Sequence, residues 1–183
     1  MSRPLPSVPV KLIIGVFTAD RSRVPVVAEA LADRFGRPDM VSPWFAFDET
    51  VYYRREMGFP LVRRIFAFER LIDPGRLADI KMATNAMEIA HGDGGKRRVN
   101  IDPGYLARSR FVLATGKDFA HRIYLDHGIY ADLTLIYAQG GFQRLPWTYP
   151  DYGGPSMMNY LEKVRRKYLN DLKTGHPAEE MKP

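Results

Sequence analysis

The sequence predicts an α+β fold: a mostly antiparallel sheet in the ferredoxin-like order β-α-β-β-α-β, extended by a C-terminal β-hairpin and a final helix. Three observations carry this reading. Apolar runs rich in β-branched or aromatic residues, 11-KLIIGVFT-18 and 61-LVRRIFAFER-70, have the length and composition of strands. Two stretches between the strands space their apolar residues at helical period. A long alternating run, 129-IYADLTLIY-137, then follows a second short strand signal, as a hairpin requires.

The elements follow in order. Residues 11–18 read as a buried strand. Ser22 offers an N-cap. Val24, Val27, Leu31 and Phe35 fall at helical spacing, and Gly36 stops that helix. The segment 40-MVSPWFAF-47 reads as a strand, with Pro43 placing it at an edge or bulge. Asp48 caps a short helix, 49-ETVYYRREM-57, ended by Gly58. Residues 61–70 form the next strand. Asp73-Pro74 is an N-cap followed by proline at the first helical position, with Leu77, Ile80, Thr84 and Met87 on one helical face. The turn 91-HGDGGK-96 ends that helix and a strand, 97-RRVNI-101, follows. A β-rich extension spans about 111–149, and a last helix starts near Ser156 with the stripe Met157, Leu161, Val164, Tyr168 and Leu172. There is no internal repeat or linker, so residues 1–183 read as one domain with an ordered core of about 9–172 and a disordered tail at 174–183.

Pairing 121-HRIYL-125 with 129–133 through a three-residue loop, Asp126-His127-Gly128, matches Leu125 to Ile129, Tyr124 to Tyr130, Ile123 to Ala131, Arg122 to Asp132 and His121 to Leu133. A two-residue loop would instead set Ile123 against Asp132. Cross-strand pairs contribute about 0.2–1 kcal/mol each, which favours the first register. Arg122 and Asp132 then form an ion pair, and His127 sits exposed at the loop tip.

The composition sets limits on function. The chain has 183 residues and a formal net charge of +6, which favours polyanionic or phosphorylated partners. No apolar run reaches membrane-spanning length, and MSRPLPSVPV lacks the apolar stretch of a signal peptide, so a cytoplasmic location without membrane association is expected. Cysteine is absent, which removes disulfides, thiolate metal sites and cysteine nucleophiles. There is no G-x-x-x-x-G-K-[ST], no G-x-S-x-G and no H-E-x-x-H. The four histidines, at 91, 121, 127 and 176, are scattered and form no H-x-[ST] pair, so no metal site is expected. The glycines of 92-GDGG-95 follow a helix and read as a turn, not as a phosphate cradle.

The stretches 48-DETVYYRREMG-58, 84-TNAME-88, 98-RVNIDPGYL-106, 117-KDFAHRIYL-125 and 145-LPWTYPDY-152 together resemble a bacterial family catalogued as a domain of unknown function, numbered 4416, over about residues 9–172. The resemblance implies a bacterial source and one compact domain. It implies no activity, cofactor or ligand.

Candidate chemistry lies on three connecting segments, where sites usually form, with Pro103, Pro146 and Pro150 stiffening two of them. Asn100 and Asp102 end a strand in 100-NIDPGY-105; Lys117, Asp118 and His121 follow 111-FVLATG-116; Tyr149, Asp151 and Tyr152 lie in 147-WTYPDY-152. If these loops converge, Asp102 or Asp118 acts as a base and His121 as an acid/base. Lys117 with Arg108 or Arg110 binds a phosphate, and Asn100, Tyr105, Tyr149 and Asp151 complete the contacts. The structural alternative makes Asp102-Pro103-Gly104 a turn, Asp151 a cap or turn residue and His121 a core histidine. The expected partner is a small phosphorylated or nucleotide-like ligand. A second reading uses the arginine-aromatic surface of 51-VYYRREMGFPLVRRIFAFER-70, with Arg54, Arg55, Arg63 and Arg64, to bind RNA or DNA. No RNP1 pattern supports it, and Val62, Phe66 and Phe68 alternate as core residues. A third reading is a partner-binding protein without catalysis. These residues name no cofactor, fix no oligomeric state and leave enzymatic activity open.

Overall fold

A computed structural model of the chain describes residues 3–47 and 54–174, the side chains of Arg54 and Arg55 excepted. The expected cap at Asp48, the start of helix 49–57 and the tail beyond 174 lie outside the described residues. The fold is α+β with an antiparallel sheet. Its strands are β1 (Val10–Thr18), β2 (Pro38–Val41), β3 (Phe45–Ala46), β4 (Val62–Ile72), β5 (Asn100–Leu106), β6 (Arg110–Thr115), β7 (Arg122–Asp126), β8 (Ile129–Ala138) and β9 (Gly141–Arg144). Helices α1 (Arg23–Phe35), α2 (Arg54–Met57), α3 (Leu77–Ala90) and α4 (Pro155–Thr174) complete it.

Among the described residues the sheet has nine strands in the order β2-β4-β1-β5-β6-β8-β7, with β3 on β4 and β9 on β8. The expected four-strand ferredoxin-like sheet is therefore too small a description. The 111–149 region is not an appended hairpin: β6 pairs directly with β5, so β6, β8, β7 and β9 continue the same sheet.

The strand alternation builds two cores. Leu12, Ile14, Val16, Phe66, Phe68 and Ile101 face α1 and α3, meeting Val24, Val27, Leu31 and Ile80. Ile13, Ile65, Ala67, Leu106 and Leu113 face α4, meeting Met157, Leu161, Val164 and Tyr168. Each fully buried side chain of this size contributes about 1.5–3 kcal/mol, so the two apolar stripes hold helices on both faces. A charge quartet anchors α4. Fully buried Lys11 on β1 donates to Asp39 at 2.5 Å and to Asp171 at 2.9 Å, and Lys167 bridges the same two carboxylates at 2.9 and 3.0 Å. Burial works to raise the Asp171 carboxyl, but the hydrogen bonds from Lys11 and Lys167 outweigh it and leave it lowered.

Local readings are corrected in several places. Ser22 occupies the cap position of α1 without capping it; its hydroxyl donates to Asp20 Oδ1 at 2.6 Å instead. The 40–47 strand splits into β2 and β3 around Ser42-Pro43-Trp44, and the Ser42 hydroxyl accepts from the Ile65 N–H at 2.9 Å. Asp73 caps as expected, accepting from the Gly75 N–H at 2.7 Å, but the turn it caps is the 3₁₀ turn Pro74–Arg76 that precedes α3. The strand expected at 97–101 runs instead over 100–106, so Asp102-Pro103-Gly104 is strand and not turn. Its composition hid it: Pro and Gly argue against a strand interior. Pro103 is tolerated because β6 pairing starts only at Gly104. Gly104 is required there, since a Cβ would overlap the Val112 carbonyl.

In the hairpin, Arg122↔Asp132, Ile123↔Ala131 and Tyr124↔Tyr130 pair as expected. The turn differs. Asp126 pairs with Ile129 across two residues at positive φ, His127 (54°) and Gly128 (74°), and Leu125 is bulged out. A two-residue turn plus one bulge gives the register that a three-residue loop would have given. The ladder begins at Arg122, so His121 and Leu133 are not a strand pair.

Candidate functional site at the strand ends

Strand direction gathers the polar segments at one end of the sheet. Register sets Gly15 of β1 opposite both Ile65 and Asp102, and Phe17 opposite Arg63 and Asn100. Asn100, Asp102 and Arg63 therefore project from the α4 face, at the end where α4 begins.

Arg63 is the inner group's centre. It is 3% exposed, and its guanidinium lies over the rings of Phe47 (4.3 Å), Tyr152 (4.7 Å) and Phe17 (5.3 Å). It pairs closely with Asp151 and stands 3.8 Å from Asp102. Asn100 Nδ2 donates to Asp102 Oδ1 at 2.8 Å, while Asn100 Oδ1 accepts from Arg97 at 3.1 Å. Arg97 holds both Glu56 oxygens, at 2.9 and 2.7 Å, and this side-chain bonding lowers the Glu56 carboxyl. Asp102 keeps 27% side-chain exposure and so opens this network to solvent.

Lys81 and Glu88 of α3 are buried for a structural reason. Among the described residues, segment 100–103 of β5 has no strand paired on its β6 side, which would leave the Ile101 backbone unpaired there. Lys81 Nζ donates to the Ile101 carbonyl at 2.9 Å, and Glu88 Oε1 accepts from the Ile101 N–H at 2.7 Å, so the two side chains act as a missing strand. Burial raises the Glu88 carboxyl, with Lys81 3.8 Å away working against the rise. Lys81 also stands 3.8 Å from Asp102.

An outer group forms where β7, β8 and the 145–152 segment meet. Arg122 Nε bonds Asp132 Oδ2 at 2.9 Å, Nη1 donates to the Lys117 carbonyl at 2.9 Å and Nη2 donates to the Tyr149 hydroxyl at 3.3 Å. His121 stacks on Trp147 at 4.9 Å and 13°, and its ring also stacks with Phe119 at 6.1 Å. Its Nε2 is buried without a hydrogen-bond partner among the described residues, 3.5 Å from Asp132 Oδ2. Trp147 Nε1 donates to the Leu133 carbonyl at 2.8 Å, which fixes the indole.

The segment 147-WTYPDY-152 joins the two groups. Trp147 and Tyr149 contact His121 and Arg122; Asp151 and Tyr152 contact Arg63. The Tyr152 hydroxyl is buried with no hydrogen-bond partner among the described residues. Burial pushes it up to about 12, Arg63 opposes this, and the charges of Asp102 and Asp132 both add to it. One hydroxyl thus feels a carboxylate from each group. Beside it, Phe45, Arg63, Asp151, Pro155, Ser156 and Met157 line an open cleft of about 240 Å³ at the start of α4.

The structure therefore brings together Asn100, Asp102 and Asp151 in the inner group, and His121 and Tyr149 in the outer one. Lys117 and Asp118 lie on the exposed turn at the outer rim. Tyr105 points to the other face, packing among the α1 and α3 residues. Arg108 sits at the opposite end of the sheet, its carbonyl accepting from Arg165 Nε at 2.8 Å, and exposed Arg110 begins β6 there. The arginine-aromatic surface is divided: Arg63 is buried, while Arg64 and Arg21 flank Trp44 at 4.8 and 5.0 Å. Sequence reasoning missed Lys81, Glu88 and Arg97. The i, i+3, i+7 spacing of Lys81, Thr84 and Glu88, a polar stripe inside an apolar helix, was the available signal.

Among the described residues no cluster of three His, Asp or Glu side chains is placed to hold a metal ion, and no helix is long and apolar enough to cross a membrane. A family profile described as Domain of unknown function (DUF4416) matches residues 8–168. No curated protein and no solved structure matches.

Proposed function

Because the chain belongs to the family described as Domain of unknown function (DUF4416), its chemistry has to be read from its own residues, and we propose that it binds a small phosphorylated or nucleotide-like ligand at the strand-end loops. The observation that carries this is the convergence of the other two polar segments on the third, 147-WTYPDY-152. Charges in both groups are committed to one another: Arg63 to Asp151 and Arg97 to Glu56 in the inner group, Arg122 to Asp132 in the outer one. Recognition therefore falls to the rim. Phe119 (57% exposed), Trp147 (37%) and Tyr149 (49%) offer ring faces for a planar base, and Lys117 offers the cation for phosphate. Asp102 and His121 are the residues that would move a proton on a ligand held there. In the same reading, β2-β4-β1-β5 with α1 and α3 is a ferredoxin-like unit, and β6, β8, β7 and β9 are the extension that supplies the rim.

Trp147 is one of two tryptophans, so intrinsic fluorescence reports the site. Titration with a panel of nucleotides and sugar phosphates is expected to quench it. Trp147→Ala should weaken binding, followed by thermal shift, by about tenfold or more, as loss of about 1–3 kcal/mol of stacking requires. Binding that survives unchanged in Trp147→Ala and Lys117→Ala, or no response to the whole panel, removes this reading.

A further inference from the structure

We propose that the outer edge of β7 is the contact between two copies of this chain, joined antiparallel about Tyr124 so that their sheets run on into one another. β7 ends the sheet and, among the described residues, pairs with β8 alone. It carries three consecutive exposed apolar side chains, Ile123 (72%), Tyr124 (57%) and Leu125 (37%). Such a run on a surface marks a contact. Natural sheets blunt a free edge with lysine or proline, and β7, RIYLD, contains neither. The backbone fixes which groups face outward. A two-residue turn joins its strands at a hydrogen-bonded pair, here Asp126 with Ile129. Along β8, alternation makes Ala131 the next residue to bond β7 and turns Tyr130 and Asp132 away. Ile123, opposite Ala131, therefore bonds inward, and Tyr124 presents both its N–H and its C=O to the outside. The Arg122 N–H fits this alternation: it donates to the Phe119 carbonyl at 2.9 Å and not to β8.

A second copy fits this edge because the strand is complementary to itself. Antiparallel pairing centred on Tyr124 joins the Tyr124 N–H of each copy to the Tyr124 C=O of the other. It sets Ile123 opposite Leu125 and Arg122 opposite Asp126. Apolar residues then meet apolar ones. The strand runs from a cation to a carboxylate whose side chain is 69% exposed, so the antiparallel copy opposes unlike charges. A register centred on Ile123 is poorer: it aims the Tyr124 C=O at the Arg122 N–H, which already bonds Phe119. Each Tyr124 ring packs edge-to-face on Tyr130 at 5.4 Å and 76°, and the two tyrosine pairs meet across the axis. The contact is isologous and uses the free β7 edge of both copies, so it closes at a dimer. It does not depend on the ligand site proposed above.

A single short edge is a small interface, so the dissociation constant should be on the order of 100 µM. Sedimentation equilibrium of the full chain between about 5 and 500 µM should show a monomer–dimer equilibrium. Tyr124→Pro removes the central N–H without removing a bond to β8, and Ile123→Lys puts a charge in the apolar flank. Each should weaken dimerisation about tenfold or more. Should Tyr124→Pro fail to fold, Ile123→Lys carries the test together with wild-type hydrogen exchange, in which the Tyr124 amide gains protection as concentration rises. A chain that stays monomeric throughout gives this edge to a different partner and overturns the proposal. A dimer of unchanged strength in Ile123→Lys, or a Tyr124 amide that exchanges equally fast at both ends of the concentration range, places the contact elsewhere and overturns it too.

Discussion

Arg122→Ala removes one member of a buried ion pair and leaves the other in place. The Arg122 and Asp132 side chains are 3% and 6% exposed, and their contact is 2.9 Å. An uncompensated carboxylate at such a position costs about 3–5 kcal/mol, far above the 0–1 kcal/mol of an exposed pair. Asp132→Ala should cost less, about 2–3 kcal/mol, because the guanidinium keeps the Lys117 carbonyl and the Tyr149 hydroxyl as acceptors. The pair is directly cross-strand, so it also fixes the register of β7, which among the described residues is an edge strand paired with β8. Urea unfolding of both single variants and the double variant measures this. The double variant should cost much less than the sum of the singles, with a coupling of about 1–3 kcal/mol. Costs below about 1 kcal/mol, or additive singles, would refute the reasoning that the pair is dry and interdependent.

Gly104→Ala should destabilise by about 2–4 kcal/mol in the same assay, since the added Cβ meets the Val112 backbone and Leu113 Cδ2 at 2.9 Å, and a strand core cannot yield there. Lys11→Ala should cost about 3–5 kcal/mol by leaving half-buried Asp39 and buried Asp171 with Lys167 alone; an effect near zero would show the quartet to be dispensable. Asp171 has a lowered folded value, so its stabilising contribution is present above the ordinary 3.8 and is lost as pH falls through the folded value; α4 amide protection should fall with it. Glu88 has the opposite sign: raised above 4.5, its contribution is complete below 4.5 and is lost as pH rises through the folded value. Glu88→Gln keeps an acceptor for the Ile101 N–H, and its stability relative to wild type should therefore be higher at about pH 7 than at about pH 4; the reverse trend would contradict the burial argument.

The sequence made legible what periodicity and pairing control. The β1, β4, α1, α3 and α4 segments carry apolar spacings that only one element type can bury, and the β7–β8 register follows from matching Arg122 to Asp132. It concealed β5, because Asp102-Pro103-Gly104 has turn chemistry and becomes strand only through tertiary pairing with β1 and β6. It concealed the sheet's size, because local patterns do not specify that β6 will join β5. The three polar segments were visible as site candidates, but their convergence through 147–152 was not. That convergence depends on Arg63, whose strand position places it on the α4 face although its type suggests a surface. Tyr105 and Arg108 were misplaced for the same reason: strand parity sends Tyr105 to the opposite face, and strand direction sends Arg108 to the opposite end.

The most direct measurement of the central claim is amide and arginine side-chain NMR of the full chain during titration with the nucleotide or sugar phosphate that most strongly quenches Trp147. One composite site predicts shifts that saturate together at Asn100 and Asp102, at residues 117–122 and at residues 147–152, with Arg63 and Arg122 side-chain signals moving at the same ligand concentration. Shifts limited to one of these three segments, or none at any of them, would contradict the claim that the strand-end loops work as a single ligand site.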